Sequence, residues 1–295
     1  MPDWLMILMG AAAFVACFFL VVMIIDANRF KVVNYTLTSD KVTGAHRFVL
    51  LADLHDKCFG KDNHALLESI HQFQPEAIFM AGDMLTAKGG CSYENALKLI
   101  GELSERYPVF YGMGNHESRL YFRPEHYGNS AADYEKKLAD MGISLLRNQS
   151  KALNREFQVT GLEIDWEYYR HFQIPPMEKT YLERTLGSAA RDKYQILLAH
   201  NPDYFESYAK WGADLVLSGH VHGGIMRLPV LGGVIAPTLL LFPQYDGGLF
   251  NRGKSSLILS RGLGTHTLPI RIFNPGELVL FTISPEGDIA KPKEN

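Results

Sequence analysis

The chain has 295 residues, of which 47% are hydrophobic, and a formal net charge of −3. This length and apolar content favour one domain with a large core. A near-neutral charge without a basic cluster argues against a protein that binds nucleic acid through its phosphates. The cysteines are odd in number and lack metal-type spacing, which argues against a disulfide framework and a zinc–thiolate site; they are Cys17, Cys58 and Cys91.

The first segment of the chain is apolar. Residues 4–25 include no charged side chain, over about the length that crosses a hydrocarbon core. The chain begins Met1-Pro2-Asp3, without the positive charge that opens a cleavable signal peptide. A helix packed on the core of a soluble protein keeps a polar, solvent-facing stripe, and this run has none. Residues 1–28 are therefore predicted to form a transmembrane anchor.

The orientation of this anchor follows from its flanks. Basic residues come only after the apolar segment: Arg29, Lys31, Lys41 and Arg47. The positive-inside rule then favours a single-pass membrane protein with a cytoplasmic domain. Asp26 and Asp40 accompany these bases, so the extracytoplasmic alternative stays open.

The rest of the chain is predicted to be α/β. Residues 29–45 form a juxtamembrane strand or linker, with alternating residues at 32–38, and residues 46–295 form the domain. Its predicted helices span 64–73, 93–107 and 134–141, and its predicted strands are 48–52, 77–81, 108–112, 143–146, 157–164, 195–199, 214–218, 255–259 and 278–283. Strands that alternate with helices indicate layered α/β structure. In such folds, ligands bind beyond the carboxyl ends of the strands.

Polar clusters stand at five of these strand ends. They are Asp53-Leu54-His55, Gly82-Asp83, Gly114-Asn115-His116-Glu117, His200-Asn201 and Gly219-His220-Val221-His222. In extended backbone, residues two apart point to the same side, as His220 and His222 would. The five strand ends thus offer carboxylates, an amide and imidazoles to one place.

The order of these clusters resembles the calcineurin-like metallophosphoesterase family, whose signature runs Asp-x-His, Gly-Asp, Gly-Asn-His-Glu/Asp, His and Gly-His-x-His. The likeness extends from His46 to Ile283. Its last part, Ser260-Arg261-Gly262-Leu263-Gly264, is similar to the family's membrane-anchored bacterial branch. The resemblance implies a four-layer sandwich, in which two facing mixed β-sheets are flanked by helices.

The resemblance also implies a site for two divalent metal ions. Asp83 would bridge them; Asp53, His55 and His222 would complete one shell, and Asn115, His200 and His220 the other. Manganese is expected, with iron or zinc as alternatives, because mixed oxygen and imidazole shells suit all three. A metal-bridging hydroxide would attack phosphorus in line.

His116 is expected to act as the general acid that protonates the leaving oxygen. Many family members orient this histidine with a carboxylate, whereas this chain has Thr86, whose hydroxyl can still accept a hydrogen bond. His266 is a candidate substrate contact. The remaining histidines are expected on the surface or at helix caps: His46, His64, His71, His126 and His171.

The expected function is hydrolysis of a phosphomonoester, phosphodiester or pyrophosphate at a membrane surface. One candidate substrate is lipid-linked, as for a UDP-2,3-diacylglucosamine-type pyrophosphohydrolase. A non-catalytic scaffold would lack ligands, and none is missing here. A zinc peptidase would need His-Glu-x-x-His, which this chain lacks.

The loop 228–248 is expected to be a lid, a membrane-facing surface or an ordinary insertion.

Overall fold

The computed structural model describes residues 2–170, 172–224, 226–228, 231–236, 239–265 and 270–287. The α-helices in these ranges are α1 (Asp3–Asn28), α2 (His64–Phe73), α3 (Glu94–Ser104), α4 (Asn115–Phe122), α5 (Pro124–Tyr127), α6 (Ser130–Asp140), α7 (Tyr181–Leu186) and α8 (Phe205–Trp211). Short 3-10 helices span Trp166–Tyr169 and Pro202–Tyr204.

The strands of the described residues, in chain order, are β1 (Phe30–Ser39), β2 (His46–Leu51), β3 (Ala77–Met80), β4 (Thr86–Ala87), β5 (Cys91–Ser92), β6 (Val109–Gly112), β7 (Leu145–Leu146), β8 (Gln149–Ala152), β9 (Phe157–Leu162), β10 (Tyr194–Ala199), β11 (Leu215–Ser218), β12 (Arg227–Leu228), β13 (Gly232–Gly233), β14 (Gly248–Arg252), β15 (Ser255–Leu259) and β16 (Gly276–Pro285).

Most of these strands form two mixed sheets of six. The first sheet has the order β1-β16-β2-β3-β6-β7, and the second has the order β14-β15-β11-β10-β9-β8. In the first sheet β2, β3 and β6 run parallel, and in the second β9, β10, β11 and β15 do. Parallel neighbours bring their carboxyl ends to the same edge, where the five polar clusters lie.

The two sheets face each other across a shared core. Along β2, Phe48 and Leu50 point into the layer between the sheets, while Val49 and Leu51 pack under the outer helices. Strands buried on both faces read as continuous apolar runs, which is why residues 48–52 show no alternation. A third cluster covers the outer face of the second sheet with residues of α7 and α8. The predicted sandwich of two mixed sheets flanked by helices is confirmed.

The first strand of the chain belongs to this sandwich. β1 pairs in parallel with β16 over its whole length, from Phe30 opposite Gly276 to Ser39 opposite Pro285. Its burial alternates because one face covers the core and the other is exposed. The segment expected as a juxtamembrane strand or linker therefore includes the edge strand of the first sheet.

Helix α1 is long and apolar enough to cross a membrane. Within its 26 residues, an apolar window of 18 residues can be chosen. The mean hydropathy is 2.8, and none of that window is buried in the protein. A signal sequence near the amino terminus has the same length and composition. The second half of the helix does touch the domain, since Phe18 and Phe19 pack against Phe273 with ring centroids 6.5 and 6.3 Å apart.

Candidate metal centre

The structure brings all seven candidate ligands together at one edge of the two sheets. The loops after β2 and β3 supply Asp53, His55 and Asp83, α4 begins with Asn115, and the loops after β10 and β11 supply His200, His220 and His222. Three sets of side chains offer ligand atoms within 4.8 Å of one another: the first group is Asp53, His55 and His222, the second group is Asp83, His200 and His220, and the third set is His55, Asp83 and His116.

The first group has the spacing of ligands to a single ion. The Nε2 atoms of His55 and His222 lie 3.1 Å apart, and His222 Nε2 lies 3.3 Å from Asp53 Oδ1. Two nitrogen ligands of one ion, each about 2.1 Å from it, lie about 3 Å apart. The first group therefore fits a transition-metal cation.

Asp83 connects the first group to the second. Its Oδ2 lies 3.2 Å from His200 Nε2 and 3.9 Å from His55 Nε2. Asn115 Oδ1 is buried nearby and accepts no hydrogen bond from any residue that the structure describes. Asp83 Oδ2 thus faces imidazoles of both groups, which is the position that a carboxylate bridging two metal ions requires. The residues present therefore fit two divalent ions.

Backbone contacts fix opposite tautomers in two of the histidines. His200 Nδ1 lies 2.6 Å from the carbonyl oxygen of Ala81, which only accepts, so Nδ1 carries the proton and Nε2 presents a lone pair. His116 Nδ1 instead accepts the backbone N–H of Ala87 at 2.9 Å, so the neutral ring carries its proton on Nε2. His116 also lies near His55 and Asp83, but this tautomer makes it a donor rather than a ligand.

The buried carboxylates of the site are stable in their charged form only beside positive charge. Burial raises the pKa of Asp53 to about 7, and the charge of Asp83 adds to this effect. Burial also raises the pKa of Asp83, but His200, His116 and His55 outweigh it and hold that pKa well below its usual value. Burial lowers the pKa of His200, but the two carboxylates outweigh it and raise the pKa to about 10. Within the described ranges, no Lys or Arg forms an ion pair with either acid.

Most of the candidate ligands have left-handed backbone conformations. The φ angles are 50° for Asp53, 50° for His55, 54° for Asp83, 73° for His220 and 53° for His222. Such angles are uncommon outside glycine and are typical of functional sites held by their surroundings. A Cβ at Gly219 would collide with the Asp53 carboxylate, so only glycine fits between β11 and these ligands.

Glu117 fixes the backbone around the candidate ligand Asp83. Its carboxylate accepts backbone N–H groups of Asp83 at 2.8 Å, Met84 at 2.9 Å and Gly114 at 3.0 Å, and the Tyr111 hydroxyl at 2.7 Å. Burial raises its pKa, and the charge of Asp83 adds to this. It thus joins the loops after β3 and β6. The sequence motif included this glutamate without indicating that role.

Arg271 is a second supporting residue, and no sequence signal singled it out. It is 2% exposed and donates to the carbonyl oxygens of Arg261, Gly262 and Gly264. Burial lowers its pKa to about 10. Gly262 packs directly against Asp53, so Arg271 fixes the loop that closes the site on that side.

The other predicted positions are more scattered. The Thr86 hydroxyl donates to the carbonyl oxygen of His55 at 3.0 Å, and the Ala87 N–H is the contact that orients His116. His46 bonds two glutamates, His71 bonds the Tyr107 hydroxyl, His64 begins α2 and His126 is exposed. His171 and the candidate substrate contact His266 lie outside the described residues.

Comparisons with known proteins agree with this geometry. The pattern of the calcineurin-like phosphoesterase family matches residues 46–224, which include all seven candidate ligands and His116. YaeI, a phosphodiesterase of Escherichia coli K12, is 28% identical over 243 residues, covering 80% of this chain and 82% of that protein. YkuE of Bacillus subtilis 168, an uncharacterised metallophosphoesterase, is 26% identical over 233 residues, covering 79% and 76%.

A third relative spans nearly the whole chain. A metallophosphoesterase of Aquifex aeolicus VF5 is 25% identical over 288 residues, covering 96% of this chain and 98% of the relative. The family pattern covers more than half of the chain and coincides with the two groups of ligands. The chain therefore belongs to the calcineurin-like phosphoesterase family, the members of which are metal-dependent hydrolases of phosphate esters.

Proposed function

We propose that the protein is a dimetal phosphoesterase that hydrolyses phosphate esters or pyrophosphates at a membrane surface. The observation that carries this proposal is the position of Asp83 Oδ2 between imidazoles of both groups. We assign Asp53, His55, Asp83 and His222 to one ion, and Asp83, Asn115, His200 and His220 to the other. Manganese is the proposed metal, with iron or zinc as alternatives.

Such a pair of ions activates water for in-line attack on phosphorus and neutralises charge on phosphoryl oxygens. The protein itself holds these charges in place. Glu117 and the N–H groups that donate to Asp53 and Asp83 fix the carboxylates: His220 N–H lies 3.0 Å from both oxygens of Asp53, and His116 N–H lies 2.7 Å from Asp83 Oδ1. Preorganised groups of this kind cost no reorganisation during the reaction.

His116 is the proposed catalytic residue. A general acid would need a doubly protonated ring, yet an imidazolium would turn its Nδ1–H toward the Ala87 N–H. Burial also lowers the pKa of His116. Both effects argue against the general acid expected from the sequence and favour a neutral ring. We infer that Nε2–H donates a hydrogen bond to a phosphoryl oxygen and stabilises its developing charge.

Membrane location is supported by the contacts of α1. A removable leader would gain nothing from contacts with the mature domain, whereas Asp26 accepts the backbone N–H of Asn274 at 2.9 Å and two phenylalanines pack on Phe273. We propose that α1 is a retained single-pass anchor and that the basic flank places the domain in the cytoplasm. An anchored enzyme would meet lipid-linked esters, including a UDP-diacylglucosamine-type pyrophosphate.

The test is an assay of full-length protein loaded with Mn²⁺ against a nitrophenyl monoester, a nitrophenyl diester and a nucleotide-linked lipid. Elemental analysis of the same protein should give two ions per chain, and Asp83→Asn should lose both ions and all turnover. The exposed Asp192 provides a matched control, since Asp192→Asn should retain both. Active protein with one ion or none would contradict the proposal, and a fully loaded but inactive protein would favour a scaffold.

A further inference from the structure

The carboxylate at the end of α1 is built into the catalytic domain. Asp26 is 1% exposed although it follows an apolar segment. Its Oδ2 accepts the backbone N–H of Asn274 at 2.9 Å. Its Oδ1 accepts Nε and Nη2 of Arg29 at 2.9 and 2.7 Å. The helix end is therefore tied to the segment that leads into β16.

Asn274 extends this contact to a candidate metal ligand. It is fully buried, and its Nδ2 donates to the carbonyl oxygens of His222 and Gly224, both at 2.7 Å. Its own carbonyl oxygen accepts from Arg271 Nη1 at 3.1 Å. Three groups of Asn274 are thus held by separate residues. Asp26 accepts from its backbone N–H, Arg271 donates to its backbone carbonyl, and the carbonyl oxygens of His222 and Gly224 accept from its side-chain amide.

The loop that Asn274 holds, residues 222–224, has a strained backbone conformation. His222, Gly223 and Gly224 have successive φ angles of 53°, 71° and 81°. A left-handed non-glycine residue is strained and persists only where its surroundings fix it. The fit is close, because a Cβ at Gly223 would lie 2.6 Å from Asn274 Oδ1. A small displacement of Asn274 would therefore move the backbone of His222.

We propose that Asp26 is a positioning residue that sets the geometry of His222 through Asn274, so that the membrane helix contributes to metal binding by the first group. This inference rests on the proposed metal centre and adds a connection between anchor and centre. Hydrogen-bond partners behind a metal ligand fix its orientation, and their loss typically lowers metal affinity by about 10–100-fold. Asp26 lies one contact further away, and it acts on the backbone of the ligand.

The test compares metal affinities in the full-length, detergent-solubilised protein. Asp26→Ala, Asp26→Asn and Asn274→Ala are measured beside Asp40→Ala, which removes an exposed aspartate of the same flank. Mn²⁺ affinities of the two sites are obtained by competition with a chelator of known affinity. Asp26→Ala and Asn274→Ala should weaken one ion by about 10–100-fold and leave the other nearly unchanged. Asp40→Ala should match the wild type.

The double variant Asp26→Ala/Asn274→Ala tests the order of the contacts. If Asp26 acts through Asn274, the double variant binds Mn²⁺ as Asn274→Ala alone does, because coupled residues are not additive. Additive losses, equal losses at both ions, or an Asp26→Ala protein that matches Asp40→Ala would overturn the inference. If melting of the metal-free protein shows that Asp26→Ala is unfolded, Asp26→Asn carries the test: its single acceptor oxygen cannot serve both Asn274 and Arg29, so it should weaken the same ion by a smaller factor, and an Asp26→Asn protein that matches Asp40→Ala would overturn the inference. A wild type that binds fewer than two ions overturns the proposed function itself.

Discussion

The role that we propose for His116 depends on a single backbone contact. The N–H of Ala87, the last residue of β4, occupies Nδ1 and leaves Nε2 as the donor. Thr86, which stands where many relatives have a carboxylate, bonds the His55 carbonyl oxygen. A carboxylate would favour the doubly protonated, positively charged ring, whereas a backbone N–H favours the neutral one. This difference changes what the residue can do for the reaction.

Replacing His116 with alanine should leave two ions bound and lower turnover by about 10²–10³-fold, the usual cost of losing one donor to a developing charge. The loss should be equal for nitrophenyl and alkyl esters, because a donor that keeps its proton stabilises charge whatever the leaving group. Turnover of matched ester series, with metal content as the control, checks this. A loss that grows as the leaving group becomes poorer would instead restore His116 as a general acid.

Asp203 makes stability depend on pH. Burial raises its pKa to about 6, whereas aspartate in an unfolded chain titrates near about 3.9. A raised carboxyl pKa means that charging this group costs the folded state free energy. The penalty is absent below about pH 4 and complete above about pH 6.

Asp203→Asn should therefore raise the free energy of unfolding at pH 8, by at most about 3 kcal/mol, and leave it unchanged at pH 4. Urea denaturation at the two pH values measures the difference. The exposed Asp192 serves as the control, since Asp192→Asn should show no such dependence. A gain of equal size at both pH values would rule out titration as its cause.

Among the elements, the segment between β12 and β14 differs most from an ordinary surface loop. Its described part exposes large apolar side chains: Leu231 is 62% exposed, Leu241 65% and Phe242 57%. It starts beside the anchor contact, because Met226 bridges Ile272, the neighbour of Phe273. Exposed apolar residues next to the proposed anchor favour the membrane-facing interpretation of this segment over an ordinary insertion.

Leu241→Ser/Phe242→Ser should leave hydrolysis of a water-soluble nitrophenyl ester unchanged and slow hydrolysis of a substrate embedded in vesicles. The reason is that the segment would bring the site close to the bilayer without contacting the ions. Rates with soluble and vesicle-borne substrates in the same preparation are the measurement. The matched control is Phe122→Ser, which removes an equally exposed aromatic from α4. Equal slowing by both variants would contradict a membrane contact specific to this segment.

The sequence predicted the elements where the local pattern was strong. Helix α2 and strand β15 have the predicted bounds, because their apolar spacing is regular. Helix α4 was not predicted, since its first turn consists of the site residues Asn115, His116 and Glu117. Short strands such as β8 are exposed and depend on their neighbour, so no local pattern marks them.

At the scale of the molecule, the meeting of the ligands was predictable, but their support was not. The rule that ligands bind at the carboxyl ends of parallel strands placed Asp53, Asp83 and His200 together. The left-handed backbone of five ligands and the buried contacts of Asp26, Arg271 and Asn274 depend on residues far apart in the chain. Such contacts have no periodic signature, so only the structure reveals them.

Removal of the metal ions should destabilise the whole protein. Ions that bind only the folded chain stabilise it by about 4 kcal/mol each at a thousand times their dissociation constant. Chelation would also leave the buried carboxylates of Asp53 and Asp83 with only the neighbouring histidines as compensating charge. We expect Tm to fall on chelation and to return on titration with Mn²⁺, while Asp83→Asn responds little. A Tm that does not depend on Mn²⁺ would show that the ions are not part of the folded state.

The pairing of β1 with β16 also affects the order in which the protein is made. β1 hydrogen-bonds along its whole length to β16, about 250 residues further along the chain, so the first sheet remains incomplete until β16 has left the ribosome. Helix α1 emerges long before that and can enter a bilayer by itself, since it needs no tertiary partner to satisfy its backbone. Pairing between distant strands is slow. For the proposed anchor, membrane insertion would therefore precede folding of the first sheet, and β1 would remain an unpaired strand at the membrane until β16 is made.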